Sequence, residues 1–206
     1  MHDRYLYLAR HGQATPDETA LTDAGRRQAQ LLGERLRSVP LTAVHHGPLP
    51  RAAQTARLIG EQLDGVPLCE SDAAGDYVPY VPGRDELPAD HADFMLDWLA
   101  EVTEAERAQG AELARAAEAA FTGPVRDGAG PRHELVVTHA FLVAWLVRAA
   151  LDSPRWRWIG LNQANTGLTV LRYAVDRPAT VLIHNDQSHL PQELRWMDFP
   201  EHLRTP

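Results

Sequence analysis

The chain has 206 residues, of which 44% are hydrophobic and 23% charged, and its 20 basic and 28 acidic residues give a formal net charge of −8. This size and composition are ordinary for one globular domain, and the longest apolar runs are too short to cross a bilayer. The negative charge disfavours a general nucleic-acid surface, because phosphate backbones would be repelled. We therefore expect a single domain over residues 1–206, with no membrane span and no nucleic-acid partner.

All twenty basic residues are arginine, so the chain has no lysine. This excludes a P-loop ATPase, a Schiff-base enzyme and a lysine general base. The single cysteine, Cys69, excludes an internal disulfide and a clustered thiolate zinc site, and its apolar flanks predict a small core residue. The N-terminal segment lacks the long apolar stretch of a secretory signal, so we expect a cytoplasmic protein. The bias towards arginine, alanine and proline is typical of a GC-rich bacterial coding sequence.

The first half of the chain alternates strand-like and helix-like patterns. A strand-like alternation near the N-terminus stops at Gly12, a turn signal, and Thr22 can cap the helix that follows. The region 71–90 is rich in proline, glycine and acidic residues, which predicts a long surface loop with a functional use. The predicted elements are a strand at 4–10, a helix at about 22–37, a strand at 42–46, a helix at 48–63 and a strand at 66–70.

The second half continues this alternation. Its predicted elements are an alanine-rich helix at 92–120 broken near Gly110, a buried strand at 134–138, a core helix at 141–151, and strands at 168–175 and 179–184 that form a hairpin. The order predicts an α/β fold, a three-layer sandwich in which helices cover both faces of a mostly parallel central sheet. In such sheets the ligand site lies beyond the carboxyl ends of the strands.

The motif Leu-Ala-Arg-His-Gly at 8–12 stands where the first predicted strand ends. There we expect the imidazole of His11 to be exposed at the edge of the sheet and Gly12 to let a ligand approach the backbone closely. Arg10 supplies a planar fork for a phosphate. By itself the Arg-His-Gly triplet is more typical of a surface turn, so its functional interpretation depends on companion motifs.

Three companion motifs bring matching chemistry. The sequence GPLPRAAQTA at 47–56 places Arg51 in the first turn of a helix, where backbone N–H groups and the helix dipole favour an anion. The sequence VVTHA at 136–140 places His139 at the tip of the buried strand, just before a helix. The sequence LTDAG at 21–25 opens the first helix. The predicted sheet edge therefore carries several groups that suit a phosphate.

In this order the four motifs resemble those of the histidine phosphatase superfamily, which has the phosphoglycerate mutase-like fold, and the resemblance extends over about 5–183. Within the superfamily the chain looks more like the phosphatase branch. The resemblance implies that His11 is the phosphoacceptor. It implies that Arg10 and Arg51 bind the phosphate and that His139 is the second catalytic histidine of the pocket.

The chain departs from the family pattern at three places. The usual pair of serines before Pro-Leu is His46-Gly47, and the usual glycine after the second histidine is Ala140. An asparagine that touches the phosphate in mutase-like members is replaced by Asp17. Because an anion beside the phosphate is unfavourable, we expect Asp17 to point away or to cap the following turn.

The resemblance also implies further site residues. The leaving oxygen needs a proton, and family members carry an acid for this step in the loop after the third strand. Asp76 stands at that place, with Glu70 as the rival candidate and Asp72 as a further one. Gln13 follows the nucleophile motif, and Asn165 lies in a loop similar to the one that packs behind the family's site; both are candidate secondary residues.

A neutral imidazole is a good nucleophile toward phosphorus, and water can open the resulting phosphoramidate, so one difficult displacement becomes two easier ones. We expect the second ring N–H of His11 to donate to a backbone carbonyl, which leaves the attacking nitrogen unprotonated. Two arginines and His139, protonated or as a neutral donor, can stabilise the phosphoryl oxygens without a metal. The sequence therefore predicts a metal-independent, cofactor-free phosphomonoester hydrolase whose substrate is a phosphorylated small molecule or a phosphoprotein.

Three alternatives remain open. A metal site would use the pairs His45-His46 and His184 with His189, but neither has the usual helical ligand spacing. A phosphoglycerate mutase would use the same phosphohistidine, although the chain is short for that subgroup and its order of loops looks more like the serine/threonine protein phosphatase branch. A non-catalytic interaction module would keep the fold without needing the intact motif residues.

Overall fold

The computed structural model describes residues 1–126, 128–196, 199 and 204. Its described part contains the strands β1 (Arg4–Arg10), β2 (Ala43–His46), β3 (Leu68–Glu70), β4 (Arg132–Thr138), β5 (Leu168–Tyr173) and β6 (Thr180–Asp186). The α-helices there are α1 (Asp23–Leu36), α2 (Pro50–Gly60), α3 (Ala92–Trp98), α4 (Glu104–Phe121) and α5 (Ala140–Ala150).

One sheet contains these strands in the order β3-β2-β4-β1-β5-β6. Strands β3, β2, β4 and β1 are parallel to one another, whereas β5 runs antiparallel to both β1 and β6. Arg10 at the end of β1 is in register with Thr138 at the end of β4. The predicted α/β fold with a mostly parallel sheet and a C-terminal hairpin is confirmed, and the residues that follow β1 and β4 emerge side by side.

The core has two layers, one on each face of the sheet. Successive residues of a strand point to opposite faces, so Leu6 and Leu8 enter one layer while Tyr7 and Ala9 face the other. Helices α4 and α5 supply the first layer and helices α1 and α2 supply the second. The predicted sandwich with helices on both faces follows from this alternation.

The helical pattern at 92–120 forms two helices, and the predicted break near Gly110 is wrong. The chain leaves the helix before Thr103, whose side chain caps α4 in a capping box with Glu106. Gly110 lies inside the continuous helix α4, where a Cβ atom would overlap with the carbonyl oxygen of Val78. The glycine is needed for this close approach between helix and loop, which the sequence alone does not distinguish from a helix break.

Edge strand β3 and the segment after it differ from the sequence prediction. Strand β3 starts later than predicted, and Cys69 is only half-buried there because β3 is an edge strand of the sheet that the described residues form. The region 71–90 is only partly a surface loop, since Ala74 and Leu87 are buried and short 3-10 turns interrupt it. Tyr77 also packs against the core. The segment is thereby fixed against the body of the protein.

Within the described residues, no helix combines the length and the apolar character needed to cross a bilayer. The single domain over 1–206 stays a prediction, and most of its residues after 196 lie outside the described part of the chain.

Candidate active site

His11 follows β1 directly and is buried beside the end of β4, so the expectation of an exposed imidazole is wrong. Its backbone N–H donates to the carbonyl oxygen of Thr138 at 2.9 Å, which ties the residue to the neighbouring strand. Its ring Nδ1 lies 2.7 Å from the carbonyl oxygen of Gly12. Because a carbonyl oxygen only accepts, Nδ1 carries the proton and the lone pair of Nε2 is free. The expected bond from the imidazole to a backbone carbonyl is therefore present.

The loop after His11 rests directly on the start of α1. Side chains at Gly12 and Gly25 would overlap with backbone atoms of the facing segment, so both positions require glycine. Thr22 caps α1 by accepting from the N–H of Gly25 at 2.9 Å, and its hydroxyl donates to Oε1 of Gln13 at 2.9 Å. Gln13 thus supports the loop from the side of α1, and the LTDAG motif fixes the position of the loop that carries His11.

Arg51 lies in the first turn of α2, and its guanidinium is held between two carboxylates. Its Nη2 donates to Oδ2 of Asp76 at 2.7 Å, and its Nη1 lies 3.2 Å from Oε2 of Glu18. The hydroxyl of Thr55 donates to the Arg51 carbonyl at 2.7 Å and accepts from the N–H of Gly12 at 3.0 Å. The start of α2 and the His11 loop are therefore connected through one hydroxyl.

Several buried polar atoms at the site have no hydrogen-bond partner among the described residues. Asn165 donates to the His11 carbonyl at 3.1 Å, but its Oδ1 is unpartnered. Both ring nitrogens of His139 lack hydrogen bonds, although Nδ1 lies 3.4 Å from Oδ2 of Asp76. Nε of Arg51 is also unpartnered. Since such atoms are expensive to bury alone, they indicate a site built for a polar ligand.

Burial and neighbouring arginines keep both histidines neutral. Burial lowers the pKa of His11 well below its ordinary value, and the positive charge of Arg10 lowers it further. Burial followed by the charges of Arg51 and Arg10 lowers the pKa of His139 to about 3. At neutral pH the imidazoles of His11 and His139 are therefore both neutral in the ligand-free site.

These groups surround one cavity of about 540 Å³ at the carboxyl edge of the sheet. The sequence-predicted residues that line it are Arg10, His11, Gln13, Arg51, Asp76, His139 and Asn165. Arg10 is oriented by a hydrogen bond from Nη1 to the Gln163 carbonyl at 3.1 Å. The structure thus brings together residues that are far apart in sequence.

Two predicted acidic residues do not line the cavity. Glu70 lies exposed on edge strand β3, where its side chain points to solvent rather than into the cavity, so Asp76 is the acid that the fold places beside Arg51 and His139. Asp72 begins a short 3-10 turn and is also exposed. Asp17 accepts from the backbone N–H of Thr19 at 3.4 Å and from the Thr19 hydroxyl at 2.9 Å, so the expectation that it caps the following turn is confirmed.

Sequence reasoning missed Glu18 and Phe141, both of which line the cavity. Glu18 has a left-handed backbone (φ 58°), and its contact with Arg51 depends on how this loop folds over α2. The sequence TPDET around it signals only a polar turn. Phe141 directly follows Ala140, which replaces the usual glycine of the family. Because Phe141 is apolar, the sequence predicts it as part of the core helix rather than of the site.

The histidines of the metal alternative make other contacts. His45 lies 3.6 Å from Glu134, and Nδ1 of His46 lies 2.9 Å from the Gly47 carbonyl. Nε2 of His184 lies 2.9 Å from the amide nitrogen of Gln163. In the described part of the chain, no three His, Cys, Asp or Glu side chains cluster as metal ligands would.

A family model described as the histidine phosphatase superfamily (branch 1) matches residues 6–186. The chain therefore belongs to this superfamily. Its curated relatives include the mitochondrial serine/threonine-protein phosphatase PGAM5 of Homo sapiens, 28% identical over 179 residues, which cover 82% of this chain and 57% of the relative. The Caenorhabditis briggsae protein of the same name is 30% identical over 176 residues, covering 82% and 58%. The match thus covers less than two thirds of these relatives.

Solved structures share the fold over nearly the whole chain. Bacillus stearothermophilus YhfR matches with a TM-score of 0.66 at 22% identity, covering 90% of this chain and 98% of the other. Phosphoglycerate mutase from Plasmodium falciparum matches with a TM-score of 0.61 at 18% identity, covering 93% of this chain and 96% of the other. A phosphoserine phosphatase mutant from Entamoeba histolytica matches with a TM-score of 0.60 at 15% identity, covering 91% of this chain and 100% of the other. At these identities the likeness is one of fold.

Proposed function

We propose that this chain is a phosphomonoester hydrolase that takes the phosphoryl group of its substrate onto Nε2 of His11. The observation that carries this proposal is the 2.7 Å contact from Nδ1 of His11 to the Gly12 carbonyl, which directs the free lone pair of the ring to Nε2. The names of the curated relatives as phosphatases support the reaction class.

In the first step Nε2 attacks phosphorus, the P–O ester bond breaks, and the leaving oxygen takes a proton from the Asp76 carboxyl group. A phosphate dianion that binds Arg51 displaces Asp76 from this arginine, which frees the carboxyl group to turn towards the leaving oxygen. In the second step a water molecule gives a proton to Asp76 and attacks phosphorus. The P–N bond then breaks, and His11 and the acid return to their starting forms.

Arg10, Arg51 and His139 stabilise the charge on the three non-bridging phosphoryl oxygens. The guanidinium groups offer paired N–H donors, and a dianion in the site favours protonation of His139, which burial opposes in the ligand-free state. Because these groups supply the electrostatic stabilisation, the reaction proceeds without a divalent ion.

We expect turnover to survive EDTA and to be blocked by vanadate, which mimics the phosphoryl group in transfer. Loss of turnover on chelation would instead support the metal alternative.

The decisive experiment traps the intermediate. Enzyme mixed with a rapidly hydrolysed phosphoester and quenched in alkali should carry phosphate that is stable to base and labile to acid, as an N–P bond requires. The His11→Ala variant should lose both this label and turnover, whereas His91→Ala, which changes an exposed histidine, should keep both. A His11→Ala enzyme that turns over near the wild-type rate would overturn the mechanism.

A phosphoglycerate mutase reaction is the second candidate, because the same cavity and fold serve it and a solved mutase matches the fold. Mutase activity on 3-phosphoglycerate, measured in parallel with hydrolysis of p-nitrophenyl phosphate, separates the two.

The cytoplasmic location and the bacterial origin stay proposals from the sequence, and the curated relatives are named as mitochondrial. Their names as serine/threonine-protein phosphatases support a phosphoprotein substrate, while the phosphoserine phosphatase of similar fold leaves a small substrate equally open.

A further inference from the structure

A second cavity of about 470 Å³ adjoins the first one, and the two share Asp76 and Phe141. It lies between α4 and the segment that follows Asp76. Its lining residues are Asp76, Tyr77, Val78, Glu101, Val102, Glu106, Gln109, Gly110, Leu113 and Phe141. Because Asp76, the proposed acid, lines both cavities, the ester oxygen of a bound substrate would lie where the two cavities meet.

The inner wall of this second cavity is apolar and fixed. Phe141 packs against Trp158 and Trp98, with ring centroids 5.1 and 5.7 Å apart, so its ring is held from behind. Val78 is fixed by the close approach to Gly110 of α4. Such a rigid apolar wall favours a hydrophobic leaving group and excludes water around it.

The rim of this cavity carries negative charge. Besides Tyr77 and the shared Asp76, the ionisable side chains that line it are Glu101 and Glu106, and no described lining residue is basic. Oε2 of Glu106 accepts from the N–H of Thr103 at 2.8 Å and from its hydroxyl at 2.7 Å. These hydrogen bonds lower the pKa of Glu106 and keep it ionised. A carboxylate on the substrate would therefore be repelled from the rim, and an ammonium group attracted.

We propose that this second cavity receives the leaving group of a small phosphomonoester and selects an apolar leaving group that carries a cationic nitrogen over one that carries a carboxylate. The inference rests on the proposed function, since it needs a phosphate at His11. The volume suits a leaving group of drug-like size. The same charges disfavour a carboxylated mutase substrate.

A matched pair of substrates tests this selection. Tyramine O-phosphate and the phosphate ester of para-hydroxyphenylpropionate have the same aromatic body, and two methylene groups separate the ring from an ammonium in one and a carboxylate in the other. The acidity of the leaving phenol is thus nearly equal. We expect kcat/KM to be roughly tenfold higher for the ammonium ester at low salt, and the ratio to shrink as salt screens the charges.

Variants of the rim glutamates test whether their charges cause the difference in kcat/KM between the two esters. Glu106→Gln keeps the capping box, because glutamine also accepts from the backbone at this position, and removes only the charge. We expect this variant and Glu101→Gln each to lower the ratio by about twofold or more. Glu112→Gln is the matched control, since it removes an exposed carboxylate from α4 that does not line the cavity, and it should leave the ratio unchanged.

The outcomes separate the inference from the function. If p-nitrophenyl phosphate is hydrolysed but the two esters have equal kcat/KM, or if Glu112→Gln lowers the ratio as much as Glu106→Gln, the inference is overturned. A phosphopeptide with basic flanks that is hydrolysed far faster than tyramine O-phosphate would overturn it in favour of a protein substrate. Absence of any hydrolysis, p-nitrophenyl phosphate included, would overturn the proposed function itself.

Discussion

Arg51 is the residue on which the charges of the site converge. It pairs with Asp76 and Glu18 in the ligand-free structure, and a phosphate has to compete with both carboxylates for its N–H groups. The two acids differ in their other contacts, because only Asp76 also lies near His139. We therefore expect their removal to have different kinetic consequences.

Replacement of Asp76 by asparagine should impair substrates according to their leaving groups. Phenyl phosphate needs a proton on its departing oxygen and should lose roughly a hundredfold in kcat/KM, whereas p-nitrophenyl phosphate should lose much less. The measurement is kcat/KM across a series of substituted phenyl phosphates, in which the variant should show the steeper dependence on phenol acidity. Equal losses along the series would remove Asp76 from the acid role and make Glu18, which also lines the cavity, the next candidate.

Replacement of Glu18 by glutamine should tighten oxyanion binding. Its side chain is 65% exposed, so the pair with Arg51 is weak and its removal is expected to lower the inhibition constant of vanadate by about two- to fivefold. Asp64→Asn, which neutralises an exposed carboxylate after α2, is the control and should leave inhibition unchanged. Weaker vanadate inhibition in Glu18→Gln would show that the glutamate orients Arg51 rather than competing for it.

At the scale of elements, the contact between α4 and the segment after Asp76 holds this proposed general acid in position. Gly110→Ala should raise the helix propensity of α4 by about 1 kcal/mol, but the added methyl group overlaps with the Val78 carbonyl, and such overpacking costs about 1–3 kcal/mol. We expect thermal stability to fall and hydrolysis of phenyl phosphate to fall more than that of p-nitrophenyl phosphate, because Asp76 is displaced.

The matched control is Gly60→Ala at the end of α2, where the new methyl group meets only a side-chain carbon of Leu68 at 3.2 Å. This variant should keep the wild-type dependence on the leaving group. If Gly110→Ala shows normal kinetics with both phenyl esters, the acid is positioned independently of α4.

The elements that carry the site were predictable because their signals are local. The alternation of β1 and the apolar run of β4 place His11 and His139 at strand ends, and parallel pairing brings such ends together. The helix break was misplaced because Gly110 resembles a stop signal, although Thr103 with Glu106 three residues later was a readable capping box.

The remaining site residues depend on tertiary contacts that no local pattern encodes. Glu18 reaches Arg51 only because its loop adopts a left-handed backbone over α2. The choice of Asp76 over Glu70 depends on which of the two the fold turns towards Arg51, and β3 directs Glu70 to solvent. Composition and spacing do not determine either arrangement.

At the scale of the whole molecule, the buried neutral histidines couple stability to acid. Above pH 6.5, His139 is neutral in both the native and the unfolded state and contributes no pH dependence. Below that pH the unfolded state binds a proton, whereas the native state resists it until the pKa of about 3. The free energy of unfolding therefore falls as the pH falls through this window, by up to about 1.4 kcal/mol per pH unit for such a histidine.

Urea denaturation at pH 7 and pH 5 measures this fall. His139→Gln should show a smaller loss of unfolding free energy between the two values than the wild type, while His91→Ala, which alters an exposed histidine, should match the wild type. Burial also lowers the pKa of His11 and of His189, so part of the fall remains in the His139 variant. Identical slopes in the wild type and His139→Gln would contradict the burial of a neutral imidazole at this position.

The pairing of β1 with β4 also determines when activity can appear during folding. The two strands are separated by more than half of the chain. Their pairing closes a long loop, and the chain loses the entropy of that loop before the contacts between the strands stabilise it. Helices α1 and α2 can form earlier from nearby residues, but His11 and His139 meet only after this closure. In a refolding experiment, the recovery of turnover therefore reports when β1 pairs with β4. We expect turnover to recover later than the helical circular dichroism signal.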